Sequence, residues 1–198
     1  MLKVIAKGIS FLPISPNVFT TFAIPLAGTA AYFLYTESYL LATLFILLSV
    51  FIDFLDGSFA EVKGKKSYFG NYFDAVTDKI VEAIIYLGFS FHYPLVAFIC
   101  FANSILLSYA KPRVALVIET DNHDWPAIGE RADRLILLLL GLVLANFVEY
   151  KDWDFVFITL VIVSVLTFIG FIQRILYARN LIRKADKNDT ILSYLKKK

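Results

Sequence analysis

The sequence predicts an all-α membrane protein with six transmembrane helices and an N-terminal amphipathic helix lying on the membrane surface. Three observations carry that expectation. Of 198 residues, 59% are hydrophobic and only 18% charged, whereas soluble domains carry about a quarter charged residues. Mainly apolar runs of about the 20 residues needed to cross hydrocarbon recur near residues 18–36, 39–60, 70–92, 94–118, 132–149 and 153–178. Basic residues gather on one side of those runs, as the membrane orientation rule requires. In lipid every backbone polar group has to be satisfied inside a helix or a closed barrel, so each run is read as a helix.

Residues 1–15, MLKVIAKGISFLPIS, interleave basic and apolar positions and lack the small-residue cleavage site of a signal peptide. They read as a surface helix with Lys3 and Lys7 toward headgroups and Leu2, Val4, Ile5 and Ile9 toward acyl chains. Residues 16–180 hold the six spans as one domain, and 181–198 read as a basic cytoplasmic tail. Outer connections are short: Thr36–Ser38, a turn at His92–Pro94, and Glu149–Asp154. Inner connections are longer, with Gly64 breaking EVKGKKSY and with Pro126 and Gly129 punctuating ETDNHDWPAIGERADR. The one cysteine, Cys100, excludes an intrachain disulfide.

Threading six spans from a cytoplasmic N-terminus leaves Lys151 alone outside among the 19 lysines and arginines. Both termini are therefore expected inside a multi-pass protein of the cell membrane. Trp125 and Trp153 suit the interfacial aromatic belt, and Arg113, Arg134 and Arg179 suit side chains that snorkel to the headgroups. No nucleic-acid partner is expected.

The segment FIDFLDGSFAEVKGKKSYFGNYFDAVTDKI, residues 51–80, departs from this apolar background. Asp53 and Asp56 are three apart at the end of the second span, and Asp74 and Asp78 four apart near the start of the third. Each pair therefore shares a helix face, and the joining loop brings the pairs to similar depth near the inner surface. Unpaired carboxylates there would each cost several kcal/mol to desolvate. No lysine or arginine falls within either face. An oxygen-only ligand set of this kind suits hard divalent cations, Mg²⁺ or Mn²⁺, with room for two. Gly57, Ala60 and Gly70 keep the flanking faces free of bulk, so that a ligand approaches the backbone closely.

These residues match a known pattern. D53xxD56G57xxA60, followed by G70xxxD74xxxD78, resembles the signature DxxDGxxAR(x8)GxxxDxxxD of the CDP-alcohol phosphotransferases, and SPNVFT resembles the family's entry to its first span. One position departs: Glu61 stands where the family has arginine. The resemblance implies a membrane enzyme that moves a phosphate-linked group from a CDP-activated donor to a hydroxyl and releases CMP. By position, Asp53, Asp56, Asp74 and Asp78 would ligate metal and Asp78 would also be the general base. Asn17, Thr20, Gly57, Ala60 and Gly70 would line the site of the CDP moiety. A homodimer is likewise implied. Two ions about 4 Å apart would neutralise the diphosphate, and a carboxylate one turn beyond a ligand is placed to take the acceptor's proton. Lys63, Lys65 or Lys66 are candidates to replace the missing arginine charge.

For the acceptor, Lys111 and Arg113 close the fourth span, Arg131 opens the fifth and Arg174 lies in the sixth. Cations from three helices suit one phosphate, which arginine grips in bidentate fashion. LSYAKPR and GERA resemble segments of phosphatidylinositol phosphate and archaetidylinositol phosphate synthases. The expected reaction is transfer of a diacyl- or diether-phosphatidyl group from a CDP-lipid to a phosphorylated acceptor, inositol phosphate, with glycerol phosphate or a CDP-inositol donor as alternatives. A cation transporter would instead need charges near the midplane, where its helices break.

Overall fold

A computed structural model describes residues 2–9, 11, 13–119, 125, 127–148 and 154–195. The described chain is helical: α1 Leu2–Ile9, α2 Pro16–Thr21, α3 Ala23–Tyr35, α4 Tyr39–Val62, α5 Tyr68–Ser90, α6 Pro94–Val114, α7 Arg131–Phe147 and α8 Phe155–Lys187. The only pairing in extended form among these residues is a single bridge between Ile118 and Ile191. Lys151, Trp153, Pro126 and the last three lysines lie outside the described residues.

Four segments are long and apolar enough to cross a membrane: Pro16–Tyr35, Tyr39–Val62, Pro94–Val114 and Phe155–Lys187. Their surfaces carry large bare side chains, such as Phe54, Leu95 and Phe98, an exterior that hydrocarbon rather than water would solvate. The protein is a membrane protein. The other two expected spans form as helices of 23 and 17 residues. Asp74, Asp78, Lys79 and Glu82 break the apolar run of α5, and α7 ends at Phe147, two residues before the end of the expected run.

The chain divides into two compact units, Met1–Ala97 with Leu142–Asp152, and Phe98–Gly141 with Trp153–Lys198. In the first unit, Ser15 caps α2 by accepting from the Val18 amide and Pro16 occupies the first turn, where a missing N–H costs nothing. Pro25 supplies no amide for the Thr21 carbonyl and crowds it, which is why α2 ends there and the chain restarts as α3. Ser49 of α4 donates to the Ala23 carbonyl at 2.9 Å across this break. α3 packs along both α4 and α5. Gly88 lets α5 approach closely, since a Cβ there would lie 2.7 Å from the Ala31 backbone.

The expected N-terminal helix forms over Leu2–Ile9, and part of the face expected toward lipid packs on the protein. Ala6 is fully buried against Phe19, Leu55 and Phe59, and Ile5 and Ile9 pack on the same cluster. Ile5, Ala6 and Ile9 are thereby taken up by the protein, while Val4 stays 75% exposed.

In the second unit, Cys100 donates to the Leu160 carbonyl and Asn103 to that of Ser164, joining α6 to α8. α8 runs for 33 residues, about 50 Å at 1.5 Å per residue, well beyond ~30 Å of hydrocarbon. It continues to Lys187, into the segment expected as a basic tail. Ala178 and Ala185 pack with Val114, Ile118 and Trp125, and Leu181, Ile182 and Ile191 close over that cluster. Trp125 is buried edge-on against Tyr177, not displayed at an interface. Arg134 is likewise buried rather than snorkelled, donating to the Gly129 carbonyl at 2.6 Å. Gly129 has φ +70°, and any Cβ there would meet the Thr167 backbone at 2.9 Å.

Candidate active site

α4 and α5 bring Asp53, Asp56 and Asp74 together, each with a carboxylate oxygen within 4.8 Å of the others. Like charges at that separation repel by roughly 3 kcal/mol per pair at an effective dielectric near 20. The arrangement is thus costly unless a cation intervenes. Asp56 is buried and Asp53 and Asp74 half-buried, and the donor set is oxygen alone, the chemistry that Mg²⁺ and Mn²⁺ take. The residues fit such an ion. Asp78, one turn further along α5 and half-buried, lies outside this group of three.

Thr20 holds Asp56 in place. It is buried on α2, and its hydroxyl donates to Asp56 Oδ2 at 2.8 Å while standing 3.1 Å from the Pro16 carbonyl. A hydrogen bond to a ligand's second oxygen fixes which lone pairs face the metal. The resemblance in sequence implies a place for Thr20 in the donor pocket; its bond to Asp56 is an additional finding.

Beside the carboxylates opens a cavity of about 950 Å³, whose lining includes Asn17, Thr20, Asp56, Gly57, Ala60, Gly70 and Asp74. All five residues expected to hold the CDP moiety therefore face one space together with two of the acids. The glycines keep it open. Nothing lies within 4 Å of a Cβ built on Gly57, and one on Gly70 would meet Ser67 Oγ at 3.1 Å and Asn17 Oδ1 at 3.6 Å.

On the cavity's other wall stand Lys65 and Lys66, two of the three candidates for the missing arginine charge, together with Ser67, Tyr68 and Asn71, which the sequence reading does not single out. Ser67 caps α5 by accepting from the Gly70 amide at 2.9 Å. Positions 67, 70, 71, 74 and 78 follow the 3-4 spacing of one helix face, a signal that was available from the cap onward. Lys63 is engaged elsewhere: its ammonium donates to the Ile14 carbonyl at 2.8 Å and sits over the Phe59 ring. Glu61 pairs with Lys3 at 2.5 Å and Lys66 at 3.2 Å.

Of the expected acceptor cations, Lys111 is half-buried and Arg113 exposed in the last turn of α6, while Arg131 is half-buried at the start of α7. Arg174 is buried on α8, where its guanidinium donates to the Glu130 carboxylate and, at 2.8 Å, to the Leu107 carbonyl. Another buried acid, Glu82, pairs with Lys79 at 2.8 Å on α5.

A helical membrane protein that gathers carboxylates from consecutive helices beside a cavity belongs to the class of membrane proteins equipped to hold a divalent cation next to a bound ligand. The match is direct: residues 13–169 fit the CDP-alcohol phosphatidyltransferase family, and the chain belongs to it. It is an enzyme of the CDP-alcohol phosphotransferase type. The chain is 30% identical over 183 residues to an archaetidylinositol phosphate synthase of Pyrococcus horikoshii, covering 90% of each chain. It is 28% identical to another from Methanothermobacter thermautotrophicus, covering 84% of this chain and 83% of that one. Among solved structures, a phosphatidylinositol phosphate synthase of Mycobacterium tuberculosis with CDP-DAG bound superimposes with a TM-score of 0.77 at 24% identity, covering 90% of this chain and 93% of that one. The same enzyme in complex with manganese and citrate gives 0.78. These likenesses establish the fold.

Proposed function

We propose that the protein transfers a phosphatidyl-type group, diacyl or diether, from a CDP-linked lipid to a hydroxyl of inositol phosphate and releases CMP. The observation that carries this reading is the shared space: the acids Asp56 and Asp74 and the pocket residues Asn17, Gly57 and Gly70 line one cavity. The names of the relatives, archaetidylinositol phosphate synthase and phosphatidylinositol phosphate synthase, support the acceptor.

Asp53, Asp56 and Asp74 would hold Mg²⁺ or Mn²⁺, as two ions with Asp78 completing the set, and the metal would neutralise the donor's diphosphate and the departing CMP. Thr20 keeps Asp56 turned toward that site. Asp78 takes the proton of the acceptor hydroxyl. The acceptor oxygen then bonds to the lipid-side phosphorus while the bond from that phosphorus to the CMP oxygen breaks, so no protein nucleophile is required. Lys111, Arg113, Arg131 and Arg174 hold the acceptor's phosphate, with Arg174 shared with Glu130. In this reading α5 and α7 complete six spans, Lys3 and Lys7 of α1 face the headgroups, both termini and the active site are cytoplasmic, and the enzyme is a homodimer.

Detergent-purified protein given Mn²⁺ and CDP-diacylglycerol, or the diether donor, should release CMP on addition of inositol phosphate. Glycerol phosphate, free inositol, serine and the soluble donor CDP-inositol are run in parallel. Faster release with any of these would replace the acceptor or donor named here.

A further inference from the structure

We infer that Lys65 and Lys66 together take the diphosphate of the donor in this enzyme, with Glu61 and Lys3 as the ion pair that positions Lys66. The inference rests on the proposed CDP-linked donor and addresses how this chain binds it without the arginine that the signature carries at position 61.

The path of the chain after α4 leaves little freedom. Val62 ends the helix, and Gly64 adopts φ +62°. Its amide returns to the Glu61 carbonyl at 3.0 Å and that of Lys65 to the Ala60 carbonyl at 2.9 Å. That pair of bonds is the glycine-dependent helix stop in which the chain doubles back over the last turn. Three residues later Ser67 caps α5. Lys65 and Lys66 are thus held between two capped ends, and both line the cavity that Gly57, Gly70 and Asp56 share. Lys63, the remaining candidate in the turn, is turned away onto Ile14 and Phe59.

Charge accounts for the reversal at position 61. A glutamate facing a diphosphate would oppose it. Here the carboxylate lies between the ammonium groups of Lys3 and Lys66, so the trio is net positive. Lys3 arrives on α1, whose Ala6 face is packed onto α4, so the counter-charge is built into the fold. The ammonium of Lys66 is left 3.2 Å from one carboxylate oxygen with its side chain 64% exposed, able to pair with phosphate without abandoning Glu61. Two lysine point charges replace one arginine fork.

The test uses full-length protein in detergent with Mn²⁺ and CDP as the calorimetric probe, followed by KM for CDP-lipid and for inositol phosphate. Charge-assisted contacts of this kind correspond to about tenfold each in affinity. K65A/K66A should bind CDP tenfold or more weakly and raise the donor's KM to match, with the acceptor's KM unchanged. K65R/K66R should stay near wild type, and adding E61R to K65A/K66A should recover CDP binding. Wild-type CDP affinity in K65A/K66A, or no recovery with E61R, would overturn the assignment while leaving the donor reading in place. Absence of CDP binding by the wild-type protein would remove the donor reading itself.

Discussion

The hydroxyl of Thr20 on α2 donates to Asp56 on α4 across 2.8 Å. A residue 36 positions earlier in the chain thereby sets which face of the acid looks into the cavity. Thr20→Val keeps the shape and removes the donor. It should weaken Mn²⁺ binding by about tenfold, the lower end of what losing a ligand's supporting hydrogen bond costs, while Thr20→Ser stays close to wild type. A manganese titration followed by electron paramagnetic resonance reads this directly; equal affinity in Thr20→Val would mean that Asp56 needs no help.

Asp78 and Asp74 are one turn apart and should separate in their effects. Asp78 stands outside the three-carboxylate group, so Asp78→Asn should abolish CMP release with Mn²⁺ binding reduced far less. Asp74→Asn should lose both. If Asp78→Asn turns over normally, the proton leaves by another route.

Filling the cavity is the test of its use. A methyl at Gly70 would press on Ser67 at 3.1 Å and approach Asn17 at 3.6 Å. Gly70→Ala should raise KM for the CDP-lipid severalfold and leave the thermal midpoint nearly unchanged. A fall in the midpoint with unaltered KM would mark Gly70 as a packing glycine only.

The turn between α4 and α5 should show its conformational demand in stability. Gly64 has φ +62° with open space around it, so Gly64→Ala meets strain and no clash. Left-handed backbone costs a residue with a Cβ about 1–2 kcal/mol. The thermal midpoint in detergent should drop by a few degrees, whereas Gly8→Ala, in open space at ordinary φ, should not lower it.

Glu130 and Arg174 offer a separate check within the second unit. The arginine is buried and the glutamate about half exposed, so Glu130→Gln removes the counter-charge of a buried cation and leaves it a neutral amide oxygen besides the Leu107 carbonyl. Water screening at the glutamate trims the loss to about 1–2 kcal/mol, below that of a wholly buried pair. An unshifted melting curve would show the pair to be idle.

Much of this was legible in the sequence because two kinds of order are written plainly there. Apolar run length located the ends of α4, α5 and α6 within a few residues, and the 3-4 spacing of the aspartates announced that Asp53, Asp56 and Asp74 would meet. What was illegible depended on partners distant in the chain. Lys3 meeting Glu61, or Thr20 meeting Asp56, leaves no periodic trace. Trp125 and Arg134 were misjudged for the same reason: an amphipathic side chain beside a membrane reads as interfacial until a Tyr177 or a Gly129 carbonyl is found waiting inside. α1 was recognised as amphipathic, but amphipathicity does not say whether lipid or protein takes the apolar face.

The hairpin joining α4 and α5 also works as a ruler. Only Lys63 to Ser67 separate the two helices, and both ends of that interval are pinned by backbone bonds. Were one residue inserted in this interval, the turn would have to bulge or one of the caps would have to give, and the acids of α5 would shift relative to those of α4. Related chains should therefore vary freely in the outer loops yet hold this interval to an unchanging length.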